Sequence, residues 1–188
     1  MKLKKPKFWD HNKPSLFSYL LLPFTILIKV NNFFNQIKYN QKYLQNYKIK
    51  TICIGNIYVG GTGKTPLTIK IGQILKDLGY QTVFIKKRYI ESYDEERLLA
   101  KYGNIISNPT RVKSLEEANK SYDVAVFDDG LQDRSIDYDL KFVCFNSNVF
   151  IGNGMLIPSG PLREEISSLK KYDAIFLNGT NEISDSIM

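Results

Sequence analysis

A glycine-rich stretch with a lysine and a threonine is the part of the sequence that most directly suggests chemistry. It reads GGTGKT over residues 60–65 and follows IKTICIG, a buried-strand pattern at residues 49–55. Glycine amides can turn toward phosphate oxygens, and a helix beginning near Lys64 adds the positive end of its dipole. Lys64 would neutralise phosphate charge and the Thr65 hydroxyl would hold Mg²⁺. The order of strand, glycine-rich turn and helix therefore predicts a phosphate-binding loop.

The match to the phosphate-loop pattern G-x-x-x-x-G-K-[ST] is imperfect at its first position, where Tyr58 replaces the expected glycine. Gly60 and Gly61 compensate in part, because neither carries a Cβ that would obstruct the turn. We assign nucleotide binding to eight consecutive residues: Tyr58, Val59, Gly60, Gly61, Thr62, Gly63, Lys64 and Thr65.

Two consecutive aspartates provide a second acidic element for a metal site. The run VAVFDD places Asp128 and Asp129 directly after four apolar residues. Adjacent carboxylates at the carboxyl edge of a parallel sheet repel each other unless a cation lies between or beside them. We expect them to coordinate the Mg²⁺ of a bound nucleotide, and the pattern leaves open which of the two contacts the ion directly.

The elements that must position these residues alternate between strand and helix patterns. We predict strands at residues 49–55, 81–86, 104–107, 123–130, 140–146 and 173–179. Helices are predicted at 64–78, within 93–103 and at 114–121, the last with Ser114 as its cap. This alternation favours an α/β fold of the P-loop NTPase type, with a mostly parallel sheet covered by helices on both faces. Cys53 and Cys144 fall within the apolar runs and are predicted to be buried thiols.

The basic charge of the chain is concentrated in its N-terminal segment. The net charge is +7, and residues 1–50 hold ten lysines and a single acidic residue, Asp10. This distribution favours an anionic membrane surface as a partner and argues against nucleic acid. The uncharged run from Pro14 to Ile28 is too short to span a bilayer. A helical stripe predicts an amphipathic helix lying at a membrane interface, the alternative being a helix packed in the core: Leu16, Leu20, Leu27, Val30 and Phe34.

Three motifs together resemble one family, the tetraacyldisaccharide 4'-kinases of lipid A synthesis. They are GNIYVGGTGKTPL, DDGLQ and IGNGMLIPSGPLRE, and the leader FWDHNKPSLFSYLLLP resembles the membrane-associating helix that opens that family. The resemblance runs from about Phe8 to Gly179. It implies transfer of a phosphoryl group from ATP, with Mg²⁺, to the 4'-hydroxyl of a lipid-linked glucosamine disaccharide 1-phosphate. It also implies a peripheral position on the cytoplasmic face of the bacterial inner membrane.

The resemblance assigns roles to residues that would otherwise pass unnoticed. It implies that Asp94 takes the proton of the acceptor hydroxyl, with Lys64 as the other catalytic residue. It places Glu164 beside Thr65, Asp128 and Asp129 on the metal side. From the residues alone, Asp94 would be interpreted as a solvated residue at a helix start and Glu164 as a surface residue.

The chain also departs from the family pattern. Asp133 stands where the family has a histidine, and the family's C-terminal subdomain, with the histidine that assists the residue matching Asp94, would lie beyond Met188. His11 is the only histidine, and its place in the leader is typical of an exposed polar residue. We therefore expect a membrane-associating segment at residues 1–47 and a nucleotide-binding kinase domain at 48–188. Three explanations stay open: a truncated product, a natural short form with weakened activity, or a chain that needs a partner protein supplying the rest.

Two other functions are compatible with the motifs. One is a non-catalytic, membrane-docked nucleotide-binding protein derived from such a kinase. The other is a different P-loop enzyme, such as a GTPase or a ligase-like ATPase. A GTPase requires an [NT]-K-x-D element late in the chain, and LNGTNE at residues 177–182 provides neither the lysine nor the aspartate.

Overall fold

Strands and α-helices alternate over residues 50–128, after two leader helices. The structure, a computed structural model, describes residues 5–39, 47–89 and 93–179, with the backbone alone for residues 31–39. The elements are α1 (Leu16–Leu20), α2 (Leu22–Tyr39), β1 (Lys50–Gly55), α3 (Lys64–Asp77), β2 (Thr82–Lys87), α4 (Tyr93–Ala100), β3 (Ile105–Asn108), α5 (Arg111–Ala118), β4 (Val124–Asp128), β5 (Leu140–Asn146) and β6 (Ala174–Asn178). Short 3₁₀ helices cover Lys7–Asp10 and Ile166–Lys171.

The six strands form one sheet in the order β3-β2-β4-β1-β5-β6. The pairs β1–β4, β2–β4 and β2–β3 are parallel, which confirms the predicted mostly parallel α/β sheet. β4 lies between β1 and β2, with Ile54 opposite Asp128 and Ile85 opposite Phe127. Because parallel strands end at the same edge, the carboxyl ends of β1, β2 and β4 meet there.

The central strands are apolar along nearly their whole length because both faces of a parallel sheet are covered. Their side chains join residues of α5 and of the segment before β5 in one buried cluster: Ile49, Cys53, Val83, Ile85, Leu115, Ala118, Ala125, Phe127, Ile136 and Tyr138. Cys53 and Cys144 are buried and unbridged, as predicted.

α5 begins earlier than the sequence pattern suggested. We predicted Ser114 as its cap, but the helix starts at Arg111, and the Thr110 hydroxyl accepts a hydrogen bond from the Lys113 amide. Ser114 is buried within the helix. The spacing of Ser114 and Glu117 resembles a capping box, yet the apolar face of α5 already begins two residues earlier, at Val112.

The leader forms two helices whose buried side chains are polar. The break lies at Leu21, and Pro23 is accommodated in the first turn of α2, where its missing N–H is not needed. Ser18 and Thr25 are buried, with hydrogen bonds to Asn153 and to Ser159. The large apolar side chains of α1 and α2 are exposed instead, Leu16 at 84%. This excludes a core-packed apolar face for the described part of the leader.

Backbone contacts divide the chain into two compact units. Unit 1 contains residues 1–35, 56–63 and 143–188, and unit 2 contains residues 36–55 and 64–142. The chain passes from unit 1 to unit 2 at the peptide bond between Gly63 and Lys64, within the glycine-rich loop. The domain bounds predicted at residue 47/48 stay a prediction.

Candidate functional site

Asp128, the last residue of β4, is completely buried, and its carboxylate is bound by three side chains of unit 2. The closest is Lys86, whose Nζ lies 2.7 Å from Asp128 Oδ2. The strand register explains this pairing. Ile85 is opposite Phe127, so the next residues along the two parallel strands, Lys86 and Asp128, are neighbours at the sheet edge.

Lys86 is a buried lysine with two acidic partners. Its side chain is 2% exposed, and Nζ also forms an ion pair with Glu95 in the first turn of α4. Burial by itself lowers the pKa of Lys86, but the charge of Asp128 and hydrogen bonds to Asp128 and Glu95 outweigh it and raise the pKa. Lys86 is therefore an ammonium group at neutral pH, and it balances a carboxylate that water does not reach.

The first turn of α3 provides the other two contacts of Asp128. Thr65 Oγ1 donates to Asp128 Oδ2 at 3.1 Å, and Thr68 Oγ1 lies 3.4 Å from Asp128 Oδ1. Thr68 also donates to the Lys64 carbonyl at 3.0 Å. The sequence predicted Thr65 and Asp128 as parts of one metal site, and the structure places them in contact.

The Asp129 carboxylate pairs with Lys64, whereas the Asp128 carboxylate pairs with Lys86. Its Oδ1 lies 3.8 Å from Lys64 Nζ, and both side chains are partly exposed. Asp129 has a positive φ of 59°, its amide donates to the Ile54 carbonyl, and its carbonyl accepts from Arg111. The repulsion expected between the two aspartates is therefore relieved by two ammonium groups, one for each carboxylate.

The glycine-rich turn before Lys64 belongs to unit 1. Gly60 and Gly63 have φ values of 146° and 85°, which favour glycine, and a Cβ on Gly63 would clash with the Asn178 amide. Among the described residues, the amides of Gly60, Gly61, Thr62 and Gly63 donate no hydrogen bond. The Thr62 hydroxyl, in the same loop, is buried and has no hydrogen-bond partner among the described residues.

Residues 57–59 pair with the GPLR segment, which links two of the sequence motifs. The amide of Val59 donates to the Pro161 carbonyl at 2.9 Å, and the amide of Arg163 donates to the Ile57 carbonyl at 2.7 Å. Tyr58 forms an antiparallel bridge with Leu162. Because the Val59 amide already has a partner, the unpaired amides of the predicted cradle begin at Gly60.

The two remaining predicted site residues are Asp94, in unit 2, and Glu164, in unit 1. Asp94 is exposed in the first turn of α4, and the adjacent Glu95 is the residue that contacts Lys86. Glu164, in unit 1, accepts a hydrogen bond from the Tyr172 hydroxyl at 2.9 Å. Across the described residues, no three histidine, cysteine or acidic side chains are grouped as a metal site.

Sequence reasoning missed Lys86, Glu95 and Arg111. Lys86 follows VFI in a strand pattern, and a lysine at the end of an apolar strand is usually interpreted as its solvated boundary. The position of Lys86 could have identified it, because Lys86 is the last residue of the predicted strand at 81–86 and parallel strands end at the same edge of the sheet as the two aspartates. Arg111 Nη1 lies 2.9 Å from Asp133 Oδ2, so Asp133, where the resemblance predicts a histidine, has a basic partner.

The sequence pattern of one family, tetraacyldisaccharide-1-P 4'-kinase, matches residues 17–187 of the chain. The chain belongs to this family. The tetraacyldisaccharide 4'-kinase of Pelagibacter ubique (strain HTCC1062) is 56% identical over 183 residues, a match that covers 97% of this chain and 57% of that protein. The corresponding kinase of Rickettsia canadensis (strain McKiel) is 33% identical over 201 residues, covering 97% and 60%. The chain thus spans about three fifths of the length of the family members it matches.

A solved member of the family has the same fold. The structure of LpxK from Aquifex aeolicus in complex with ATP superimposes with a TM-score of 0.72 and 24% identity. The match covers 87% of this chain and 59% of that one. Together with the parallel sheet, this likeness confirms the predicted P-loop NTPase-like α/β fold.

Proposed function

We propose that this chain carries the ATP-binding site of a kinase that phosphorylates the 4'-hydroxyl of a tetraacylated glucosamine disaccharide 1-phosphate in lipid A biosynthesis. Family membership supports the reaction. The observation that carries the site is the contact of Thr65 and Lys86 with Asp128, where the beginning of α3 meets the carboxyl ends of β2 and β4. An acid at a strand end beside a helix-start threonine is the arrangement that P-loop enzymes use for a nucleotide and its metal.

The loop fits a polyphosphate by the chemistry of its donors. Four consecutive amides, from Gly60 to Gly63, have no acceptor among the described residues, and such amides in a glycine-rich turn bind anions. Lys64 follows them at the start of α3, where its ammonium adds to the positive helix end. The pair of Lys64 with Asp129 is long, at 3.8 Å, and partly exposed, so this ammonium can turn to phosphate at little cost.

The oxygens near α3 also fit Mg²⁺, which prefers oxygen ligands and takes one or two carboxylates together with substrate phosphates. Thr65, Asp128 and Asp129 would hold the ion, and the family resemblance by itself assigns a metal role to Glu164. The ion would neutralise charge that develops on the transferred phosphoryl group. Lys86 provides the balancing charge beside the buried Asp128 side chain.

The acceptor side of the reaction is assigned to α4. Asp94 is exposed at the first turn of this helix, where the acceptor hydroxyl can reach it and lose its proton to it. The next residue, Glu95, is tied to Lys86, and this ion pair fixes the first turn of α4 beside the end of β2. Alignment of acceptor and nucleotide supplies much of the catalysis in phosphoryl transfer.

The leader is proposed to hold the protein on the cytoplasmic face of the inner membrane. Its buried residues are polar, and its large apolar side chains are exposed, Leu20 at 71% and Leu27 at 66%. Within the described residues, no helix combines the length and apolar character that crossing a bilayer requires. Exposed apolar groups and the lysines of residues 1–50 suit a peripheral position on an anionic surface, where the lipid acceptor lies.

Phosphoryl transfer from radiolabelled ATP with Mg²⁺ to the tetraacyldisaccharide 1-phosphate in mixed micelles tests the proposal. We expect Asp94→Asn to retain ATP binding and lose transfer, while Glu96→Gln in the same helical turn retains both. Transfer by Asp94→Asn at the wild-type rate would remove the assigned role. ATP binding without transfer by the wild-type chain would instead favour a non-catalytic nucleotide-binding protein.

A further inference from the structure

Tyr58 contacts two charged residues of the leader, Lys5 and Asp10, and all three residues belong to unit 1. Tyr58, at the first position of the loop, is 1% exposed. Its hydroxyl donates to Asp10 Oδ1 and accepts from Lys5 Nζ at 2.8 Å. Lys5 Nζ closes the triangle by an ion pair of 2.6 Å with Asp10 Oδ1.

The charge states of the three groups agree with this network. Burial lowers the pKa of Lys5, but hydrogen bonds to Asp10 and Tyr58 outweigh it and raise the pKa. For Asp10, burial raises the pKa, and hydrogen bonds from Lys5 and Tyr58 more than offset this, so the pKa is lowered. Burial, and then the hydrogen bond to Asp10, raise the pKa of Tyr58. At neutral pH the network is an ammonium, a carboxylate and a phenol.

The network touches the turn that presents the unpaired amides. A Cβ built on Gly60 would lie 3.3 Å from Tyr58 Cε1 and 3.9 Å from Lys5 Nζ. Lys5 also lies over the Tyr58 ring, 4.9 Å from its centroid. The main chain of Tyr58 is fixed on either side, by the bonds of Ile57 and Val59 to the GPLR segment. The Tyr58 ring and the Lys5 ammonium therefore lie next to the backbone of Gly60, on the side that a Cβ would occupy.

The leader end of the network is anchored independently. The Trp9 indole donates to the Pro158 carbonyl at 3.0 Å, and the Trp9 carbonyl accepts from the Asn153 amide at 3.0 Å. These bonds fix the 3₁₀ helix that carries Asp10, so Asp10 is a rigid acceptor for the Tyr58 hydroxyl. A buried tyrosine with a fixed partner is well suited to hold a loop in one conformation.

We propose that Lys5, Asp10 and Tyr58 are positioning residues that hold the glycine-rich turn in the conformation that binds ATP, so that the leader contributes to nucleotide affinity. The proposal rests on the proposed binding of ATP at this loop. Tyr58 stands at the first position of the phosphate-loop pattern, where a glycine is expected. Its anchored side chain restricts the backbone conformations that a glycine would allow there. Preorganisation of this kind strengthens binding because less conformational freedom is lost when the ligand arrives.

The test compares Tyr58→Phe, Asp10→Asn and Lys5→Met with Lys7→Met, an exposed leader lysine outside the network. Dissociation constants for ATP with Mg²⁺ are measured by calorimetry, and kcat and KM for ATP by the transfer assay. We expect each network variant to raise the dissociation constant and the KM by about tenfold or more, with kcat unchanged, because each removes or weakens at least one charge-assisted hydrogen bond. Lys5→Arg should restore most of the affinity, and Lys7→Met should behave as wild type.

Amide hydrogen exchange provides a readout that does not depend on ATP. We expect the Val59 and Arg163 amides, which flank Tyr58, to exchange faster in Tyr58→Phe, with exchange in β4 unchanged. Wild-type exchange and wild-type ATP affinity in Tyr58→Phe would overturn the proposal. If the wild-type chain binds no ATP, the proposed function is wrong, and the exchange rates still decide whether the leader holds the loop.

Discussion

Lys86 and Asp128 form a buried ion pair, with Nζ 2.7 Å from Oδ2 and side chains that are 2% and 0% exposed. The pair joins the ends of two adjacent parallel strands. Because Thr65 donates to the same carboxylate oxygen, the pair also fixes the strand ends to the first turn of α3. One contact thus couples the stability of the sheet edge to the geometry of the proposed nucleotide site.

Replacing Lys86 by methionine should destabilise the fold by about 3–5 kcal/mol, because it leaves Asp128 buried without its charge partner. Urea unfolding at pH 7 gives the free energy directly. Lys87→Met is the matched control, since Lys87 is exposed at the end of the same strand. Equal free energies of unfolding for the two variants would contradict the assignment of Lys86 as the balancing charge.

Asp133 should make stability depend on pH in the acid range. Burial raises its pKa, but hydrogen bonds from Ser135 and Arg111 outweigh it, so the folded pKa is below the ordinary value of 3.8. Such a group stabilises the fold above pH 3.8, and the stabilisation is lost as pH falls through the lowered folded pKa. We expect Asp133→Asn to lose about 1.5–3 kcal/mol at pH 7, with the difference from wild type shrinking below pH 3.8.

Urea unfolding across a pH series measures this difference. Asp137→Asn is the control, because Asp137 is 75% exposed in its pair with Lys141, and it should change the free energy of unfolding by at most about 0.5 kcal/mol. A difference between Asp133→Asn and wild type that stays constant at every pH would show that the Asp133 carboxylate does not contribute as described.

Binding of the leader to membranes should depend on its exposed leucines. We expect Leu20→Gln and Leu27→Gln each to weaken partition into phosphatidylglycerol vesicles by about tenfold or more, since burying one leucine is worth about 1.5–3 kcal/mol. Leu78→Gln is matched in exposure, at 68%, but lies after α3, so it should bind as wild type. Vesicle sedimentation that gives the same partition for all three variants would contradict a membrane role for the leader.

The sequence predicted the strands well because burial on both faces makes parallel strands visible as apolar runs. β5 was predicted with its observed bounds, Leu140–Asn146. The predicted start of α5 was wrong because the sequence has two residues that can cap a helix, Thr110 and Ser114. Thr110 is the cap, and Ser114 lies inside the helix, since packing of the apolar face sets where the helix begins. Local sequence patterns therefore predict whether a segment is a helix or a strand, whereas its first and last residues depend on the residues that it packs against.

The candidate site was predictable where it is contiguous in sequence. The loop from Gly60 to Thr65 and the pair Asp128–Asp129 are local patterns. Lys86 was missed because its partner lies 42 positions away, and only the strand order shows that the two strands are neighbours. The polar buried side of the leader was also hidden, because Ser18 and Thr25 are small residues whose partners, Asn153 and Ser159, are far along the chain.

The central claim, that the loop from Gly60 to Thr65 binds ATP with Mg²⁺, is tested most directly by calorimetric titration of Lys64→Ala. Lys70→Ala, an exposed lysine on the same helix, is the control. We predict saturable ATP binding by wild type and Lys70→Ala, and about tenfold to hundredfold weaker binding by Lys64→Ala, since hydrogen bonds from a charged donor are worth about 1.5–3 kcal/mol. Wild-type affinity in Lys64→Ala would contradict the claim.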